Sequence, residues 1–256
     1  LDILIMLYNQ PKYYELAFSF IDVKKQTSFF EKLFKKYIKV KVKSVLDVAC
    51  GPSLQLREFA RQSYECFGLD LNKNMLIYLK EEAQKEQLNI QTIHANMCNF
   101  KLPHIVDFAF IMMGSLGYLK NNEEFIQHLD TIAKTLNKGG LYFIENYRLD
   151  WNPQVLFKKA QWTEEKEEIK VTTTYQMSIK SALHQLLEQH LTLEVNDHGK
   201  TKVLKEKSLS KLIFPEEFKL LVEKQGDFEF LGFFKPFSFT KLEKENSFNY
   251  ILLRRK

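Results

Sequence analysis

The chain has 256 residues, of which 45% are hydrophobic and 27% charged, and it carries a net charge of +5. A 14% aromatic content and recurrent apolar runs exclude a mostly disordered chain. Apolar stretches such as 105–113 are about half the roughly 20 residues a spanning helix needs, so no membrane span is expected. Three scattered cysteines (Cys50, Cys66, Cys98) without a CxxC spacing indicate neither a disulfide framework nor a zinc site, and fit a reducing, cytoplasmic setting.

Segment 1–7 is apolar but lacks the basic flank and small-residue cleavage site of a secretory leader. From 27 to 146, amphipathic stretches alternate with short apolar runs. Helix 27–39 precedes strand 44–49, helix 53–62 precedes strand 65–69, and helix 73–87 precedes strand 90–94. Strand 105–112 then leads to helix 122–136 and strand 141–146. This alternation predicts an α/β domain, doubly wound around a mostly parallel sheet. The runs VLDVA, IVDFAFIMM and LYFIEN are nearly continuous in apolar residues, as central parallel strands are. Six lysines between 32 and 43 fall opposite Phe29, Phe30, Leu33, Phe34 and Tyr37, so they read as a solvated helix face. His128 is expected on an exposed face of its helix.

Beyond Trp151 the pattern changes. Residues 160–209 alternate apolar and polar side chains, and Asn196-Asp197-His198-Gly199 has turn composition, which predicts an antiparallel β insertion. Pro215 and Gly226 bracket a helix at 215–225. Strands 227–234 and 248–253 follow, joined by a hairpin around 235–247.

The sharpest chemical signal is VLDVACGPS, residues 45–53. A buried strand carrying Asp47 turns through Ala49, Cys50 and Gly51 into a helix that Ser53 can cap. Such strand–loop–helix turns hold mononucleotide-like ligands in doubly wound sheets. The pyrophosphate-binding GxGxxG is absent, because Ser53 and Leu56 stand where its later glycines would be, and GxxxxGK[ST] is absent too. Nineteen residues after Gly51, Asp70 ends the next strand, where an acid accepts both hydroxyls of a ribose. Leu71 and Met75 stand ready to flank an adenine. The alternative role for Asp70 is a cap on the helix starting near Lys73.

These motifs, in this order, resemble the cofactor half of the class I S-adenosylmethionine-dependent methyltransferases. VLDVACGPS resembles that family's first motif and GLDLNKNML its second. HANMCNF (94–100), VDFAFIMMGSLGYL (106–119) and LNKGGLYFIEN (136–146) resemble the segments that follow. The tail at 212–234 and YNQPKYYELA (8–17) resemble the closing and opening elements of small-molecule methyltransferases. The resemblance implies a Rossmann-like, seven-stranded sheet. It divides the chain into an N-terminal helical lid (1–43), a cofactor-binding core (44–150), a β insertion over the substrate (151–210) and closing core elements (211–256). It implies S-adenosyl-L-methionine as cofactor, with S-adenosyl-L-homocysteine as product.

By the resemblance, Asp47 and the backbone of Ala49, Cys50, Gly51 and Ser53 hold the methionine portion, and Asp70 holds the ribose. Leu71, Met75, Asn96 and Met97 surround the adenine, with Met113 and Gly114 near the sulfonium. Two positions depart from the family pattern. Ser53 replaces a glycine, and Asn96 replaces an aspartate, leaving an amide oxygen to accept from the adenine. Glu145 and Tyr14 are the candidate catalytic residues, and Tyr8, Asn146, Tyr147 and Arg148 the candidate substrate or lid residues. Tyr13 belongs to the same lid segment. His184 and His190 are weaker candidates for the acceptor pocket.

The expected reaction is in-line methyl transfer to an N or O atom of a small-molecule acceptor. No [DNS]-P-P-[YFW] tetrapeptide and no Pro-Cys or Thr-Cys step occurs, which argues against amide, base-amine and cytosine-C5 methylation. No RNA-binding module is visible, and nucleic acid and membrane partners are not expected. The competing readings are an RNA or protein methyltransferase, a non-catalytic cofactor-binding protein, and, disfavoured by the missing glycines, a nicotinamide-dependent dehydrogenase. A monomer or a homodimer fits the sequence equally.

Overall fold

The computed structural model describes residues 6–39, 41–145, 153–243 and 248–256. At its centre lie β1 (Ser44–Val48), buried along its whole length, and β4 (Val106–Ile111). Strands this apolar on both faces need helices above and below them. β2 (Glu65–Asp70), β3 (Ile90–His94), β5 (Leu136–Glu145), β10 (Phe228–Phe234) and β11 (Tyr250–Arg255) complete a seven-stranded sheet of order β10-β11-β5-β4-β1-β2-β3. Pairing is parallel from β3 across to β5, while β11 runs antiparallel to both its neighbours. Chain order reverses between β1 and β4, so the carboxyl ends of these strands flank the crevice where such sheets bind ligands.

One face of the sheet is covered by α2 (Val23–Tyr37), α3 (Leu54–Arg61) and α4 (Lys73–Lys85). Phe30 and Phe34 of α2 pack on Phe59 of α3 and Phe108 of β4. α2 begins four residues before the predicted helix, because Asp22 caps it by accepting the Lys25 N–H. Its first turn points Gln26 and Thr27 inward, and polar side chains there hide the start from an apolar count. The lysines of 32–43 are exposed, as expected of a solvated face.

The opposite face carries α5 (Asn122–Thr135) and, near the C-terminus, α7 (Pro215–Gln225). His128 corrects the sequence reading, since it is fully buried. Its ring nitrogens lie 2.9 Å from the Met97 carbonyl and 2.8 Å from the Tyr142 hydroxyl. It falls between Phe125 and Leu129 on the inward stripe of α5 and stays there because both nitrogens find partners. Burial lowers its pKa to about 4.

After the short α6 (Pro153–Leu156) come β6 (Ala160–Lys166), β7 (Ile169–Ser181), β8 (Leu186–Asp197) and β9 (Lys200–Lys211), an antiparallel sheet paired in chain order. The turn into β9 places His198 and Gly199 at positive φ, as a tight hairpin requires. One face of this sheet is buried: Val171, Leu193 and Leu204 pack on Leu16 and Ala17 of α1 (Pro11–Ala17). The sheet sits hard against the core, because a Cβ added at Gly117 would stand 2.5 Å from the Ser210 Oγ of β9.

Candidate active site

The residues between β1 and α3 form a tight loop in which Ala49 (φ 55°), Gly51 (φ 53°) and Ser53 (φ 33°) alternate with residues at negative φ. Only glycine takes this conformation without strain, so the two side-chain-bearing positions need compensation. Ser53 finds it in two hydrogen bonds. Its Oγ accepts the Leu56 N–H at 3.1 Å, capping α3, and donates to Asp47 Oδ2 at 2.6 Å. The serine thus holds the buried Asp47 as no glycine could.

Asp70 ties the loop to β2. Its Oδ2 accepts the Gly51 N–H at 2.8 Å and its Oδ1 the Asn72 N–H at 2.7 Å. The cap of α4 is Asn72, which accepts from Asn74 and Met75, so the capping alternative for Asp70 does not describe the structure. Burial is the main cause that raises the Asp70 pKa, opposed by these backbone donors. Burial also raises Asp47 well above the carboxylate range, with Asp70 and Glu145 adding repulsion. Among the described residues none of these three carboxylates forms an ion pair.

The loop borders one cavity, and a second opens beside that one. The smaller, about 70 Å³, is bounded by Asp47, residues 49–55 and Tyr14 and Phe18 of the α1 segment. The larger, about 440 Å³, opens between the end of β5, the Ser115–Tyr118 turn, the α1 segment and the second sheet. Tyr14, Phe18, Met113 and Ser115 line both. Tyr8, Tyr14, Phe18 and Trp162 form a nearly continuous aromatic wall, with ring centroids 4.8–5.7 Å apart. The Tyr8 hydroxyl lies 2.6 Å from that of Tyr118. Facing these rings, Glu145 ends β5 almost fully buried. Its Oε2 accepts the Met113 N–H at 3.1 Å and its Oε1 the Gln26 amide N–H at 3.1 Å. Burial outweighs these donors and pushes its pKa up to about 7.

The structure therefore gathers Asp47, Ala49, Cys50, Gly51 and Ser53 around the smaller cavity, and Tyr8, Gly114 and Glu145 around the larger. Tyr14 and Met113, whose hydroxyl and sulfur are 4.0 Å apart, stand between them. Leu71 is 67% exposed, Met75 only 2% exposed, and Met97 packs against the core; none of the three borders either cavity. The Asn96 oxygen accepts the Cys98 N–H at 2.8 Å, which leaves its second lone pair for a further donor. Tyr13 turns away to bond Asp197 and Lys202, and His184 and His190 are exposed and line neither cavity. Asn146, Tyr147 and Arg148 lie outside the described residues. Sequence reading missed Gln26, Trp162 and Glu206, all of which line the larger cavity. Gln26 had a signal: a polar residue three and four positions before Phe29 and Phe30, on the buried stripe of α2.

A methyltransferase-domain family model matches residues 45–140. A protein of Geobacillus sp. (strain WCH70), described only as a methyltransferase, is 29% identical over 178 residues, covering 68% of this chain and 69% of that one. A dTDP-3-amino-3,4,6-trideoxy-alpha-D-glucopyranose N,N-dimethyltransferase of Streptomyces venezuelae is 31% identical over 112 residues, 43% of this chain and 44% of its own. Among solved structures, an S-adenosylmethionine-dependent methyltransferase from Clostridium acetobutylicum ATCC 824 superposes with a TM-score of 0.80 at 17% identity, covering 95% and 96% of the two chains. A sugar N-methyltransferase from Streptoalloteichus sp. ATCC 53650 does so with a TM-score of 0.74 at 17% identity, covering 100% and 95%. The domain match falls on the strands that frame the Ala49–Ser53 loop, so residues 45–140 are similar to a methyltransferase domain, and the whole fold is similar to that of S-adenosylmethionine-dependent methyltransferases of known structure.

Proposed function

We propose that the chain transfers a methyl group to the nitrogen of a small-molecule amine. The observation that carries this reading is Glu145, a buried carboxylate with a pKa near 7 in an aromatic-walled cavity that shares Tyr14 and Met113 with the smaller one. An ammonium has no lone pair to offer, so its proton must leave before the nitrogen can attack. A carboxylate poised near neutral pH, inside a cavity, suits that task. The aromatic rings favour a cationic or partly apolar acceptor. The amino-sugar acceptor in the name of the Streptomyces relative, and the sugar N-methyltransferase whose fold matches the whole chain, support an amine over a hydroxyl.

S-adenosylmethionine, when bound, supplies a methyl group already activated on a sulfonium. The chemistry of the donor set fits it: three buried carboxylates, none ion-paired among the described residues, suit a ligand that carries positive charge. Asp70 would hold the ribose, and Asp47 and the Ala49–Ser53 backbone the methionine portion. Met113 and Gly114, at the end of β4, would face the reacting centre. Tyr14 would shield it from water, since its ring stands between the two cavities. Incubating the protein with S-adenosylmethionine and a panel of amines, amino sugars, alcohols and carboxylates tests the reading. Release of S-adenosylhomocysteine with amines alone, falling about a thousandfold in Glu145→Gln, is the expected result. Turnover of alcohols or carboxylates but not amines would overturn it.

A further inference from the structure

A line of three buried side chains runs between the two cavities. Gln55 of α3 borders the smaller one, and Gln26 of α2 and Glu145 of β5 border the larger. The Gln55 Nε2 donates to Gln26 Oε1 at 2.8 Å, and the Gln26 Nε2 donates to Glu145 Oε1 at 3.1 Å. Gln26 is 5% exposed and Gln55 8%. The direction of the line is not arbitrary. A carboxylate only accepts, so Gln26 must show it nitrogen, which leaves oxygen for Gln55, which must in turn show its own nitrogen.

We propose that Gln26 is a positioning residue that keeps Glu145 an aimed proton acceptor, and that Gln55, on the cofactor side, fixes which end of the Gln26 amide faces Glu145. The inference rests on the reading of Glu145 as the group that takes the acceptor's proton. Through this line, the state of the loop and the first turn of α3 reaches the acceptor cavity without a moving part. Other groups also face Glu145 or share its cavity: Asp47 on β1, Tyr250 on β11, Tyr14 on α1, Asp22 and Lys25 at the start of α2, and Glu206 on β9. None of these replaces the Gln26 donor, because among the described residues the one further hydrogen bond to the Glu145 side chain comes from the Met113 backbone.

The test reads Glu145 directly. Protein labelled with side-chain carboxyl ¹³C-glutamate is titrated by NMR, and the Glu145 signal is assigned by its loss in Glu145→Gln. In Gln26→Leu the midpoint should rise by about one pH unit, as expected for one lost hydrogen bond to a charged group. Gln55→Glu should raise it further. A carboxylate at position 55 draws the Gln26 nitrogen to itself and turns the amide oxygen toward Glu145, which must then keep a proton to donate. The double variant has no amide to turn, so its midpoint should lie close to that of Gln26→Leu, and the comparison removes the effect of the added charge.

An unmoved midpoint in Gln26→Leu overturns the positioning role. A Gln55→Glu shift no larger than that of the double variant overturns the fixed amide. Thermal melting checks each fold, and Gln26→Met replaces Gln26→Leu in both single and double variants if the leucine is not tolerated. Once an acceptor is found, the acid limb of kcat/KM should follow the NMR midpoint across the variants. Midpoints that move while the limb stays put would sink Glu145 as the proton acceptor and leave the positioning line standing.

Discussion

The two ends of the active site are built from different materials. Toward the cofactor side, the shape comes from backbone: alternating positive φ at Ala49, Gly51 and Ser53, and amide hydrogens of Gly51 and Asn72 received by Asp70. Toward the acceptor side, the shape comes from rings: Tyr8, Tyr14 and Phe18 from the first 20 residues and Trp162 from the second sheet. Backbone geometry at the crevice of a doubly wound sheet is fixed by the fold itself. Side chains on a lid can change while the fold stays. The contrast explains why the cofactor can be read from the matched domain while the acceptor has to be argued from the cavity.

The comparison can be broken in order of expected effect. Asp70→Ala should weaken S-adenosylmethionine binding by about a thousandfold in calorimetry, since the bonds to the loop and, under the proposed role of Asp70, those to the ribose disappear together. A drop of only a few-fold would mean that the loop holds its shape and its ligand without the acid.

Second comes stability. Glu145 titrates at about 7 in the folded protein against 4.5 when free. The folded state therefore binds the extra proton between these values. The stability this confers is fully present below about pH 4.5 and lost as pH rises through about 7, a difference of about 3 kcal/mol. Urea melts from pH 4.5 to 8 should show this decline in the free protein, and Glu145→Gln should remove its share and leave the part that Asp47 and Asp70 contribute with the same sign.

Third, Trp162→Ala should raise the acceptor KM about tenfold and leave cofactor affinity within about twofold, because only the aromatic wall is breached. Equal losses for both ligands would show that the two ends are not separable. The smallest effect belongs to Ser53→Gly. Relief of the left-handed backbone offsets in part the lost bonds to Asp47 and from the Leu56 N–H, a glycine cap costing only a few tenths of a kcal/mol, so stability should fall by about 1 kcal/mol.

The cofactor end was largely legible in the sequence, and the acceptor end was not. Continuous apolar strands and an acid at each of two strand ends mark a doubly wound sheet without any coordinates, and Asp47, Gly51, Ser53 and Asp70 lie together as the spacing implied. What Ser53 does there needed the structure, because a serine in place of a glycine reads as a loss until its hydroxyl is seen on Asp47. His128 was misplaced because a histidine counts as polar in any periodicity, although two well-placed partners make it a core residue. Gln26 and Gln55 escaped for the same reason. Trp162 and Glu206 carry no local motif. They reach the larger cavity only through the register of β6 to β9 and the packing of that sheet on α1, which are long-range facts.

Gly117 and Ser210 meet so closely that the core turn cannot gain a side chain at Gly117 while β9 keeps the Ser210 hydroxyl. Transplanting the four-stranded sheet of a relative, to redirect the protein to a new acceptor, would therefore have to carry the Ser115–Tyr118 turn with it. The hairpin tip asks something different: an added Cβ at Gly199 meets nothing within 4 Å, so what a transplant must keep there is the positive φ of the turn and the Asp197 bond to Tyr13, not a packing fit. Recombination between relatives has a natural cut there, and none at the inner end of the same strand.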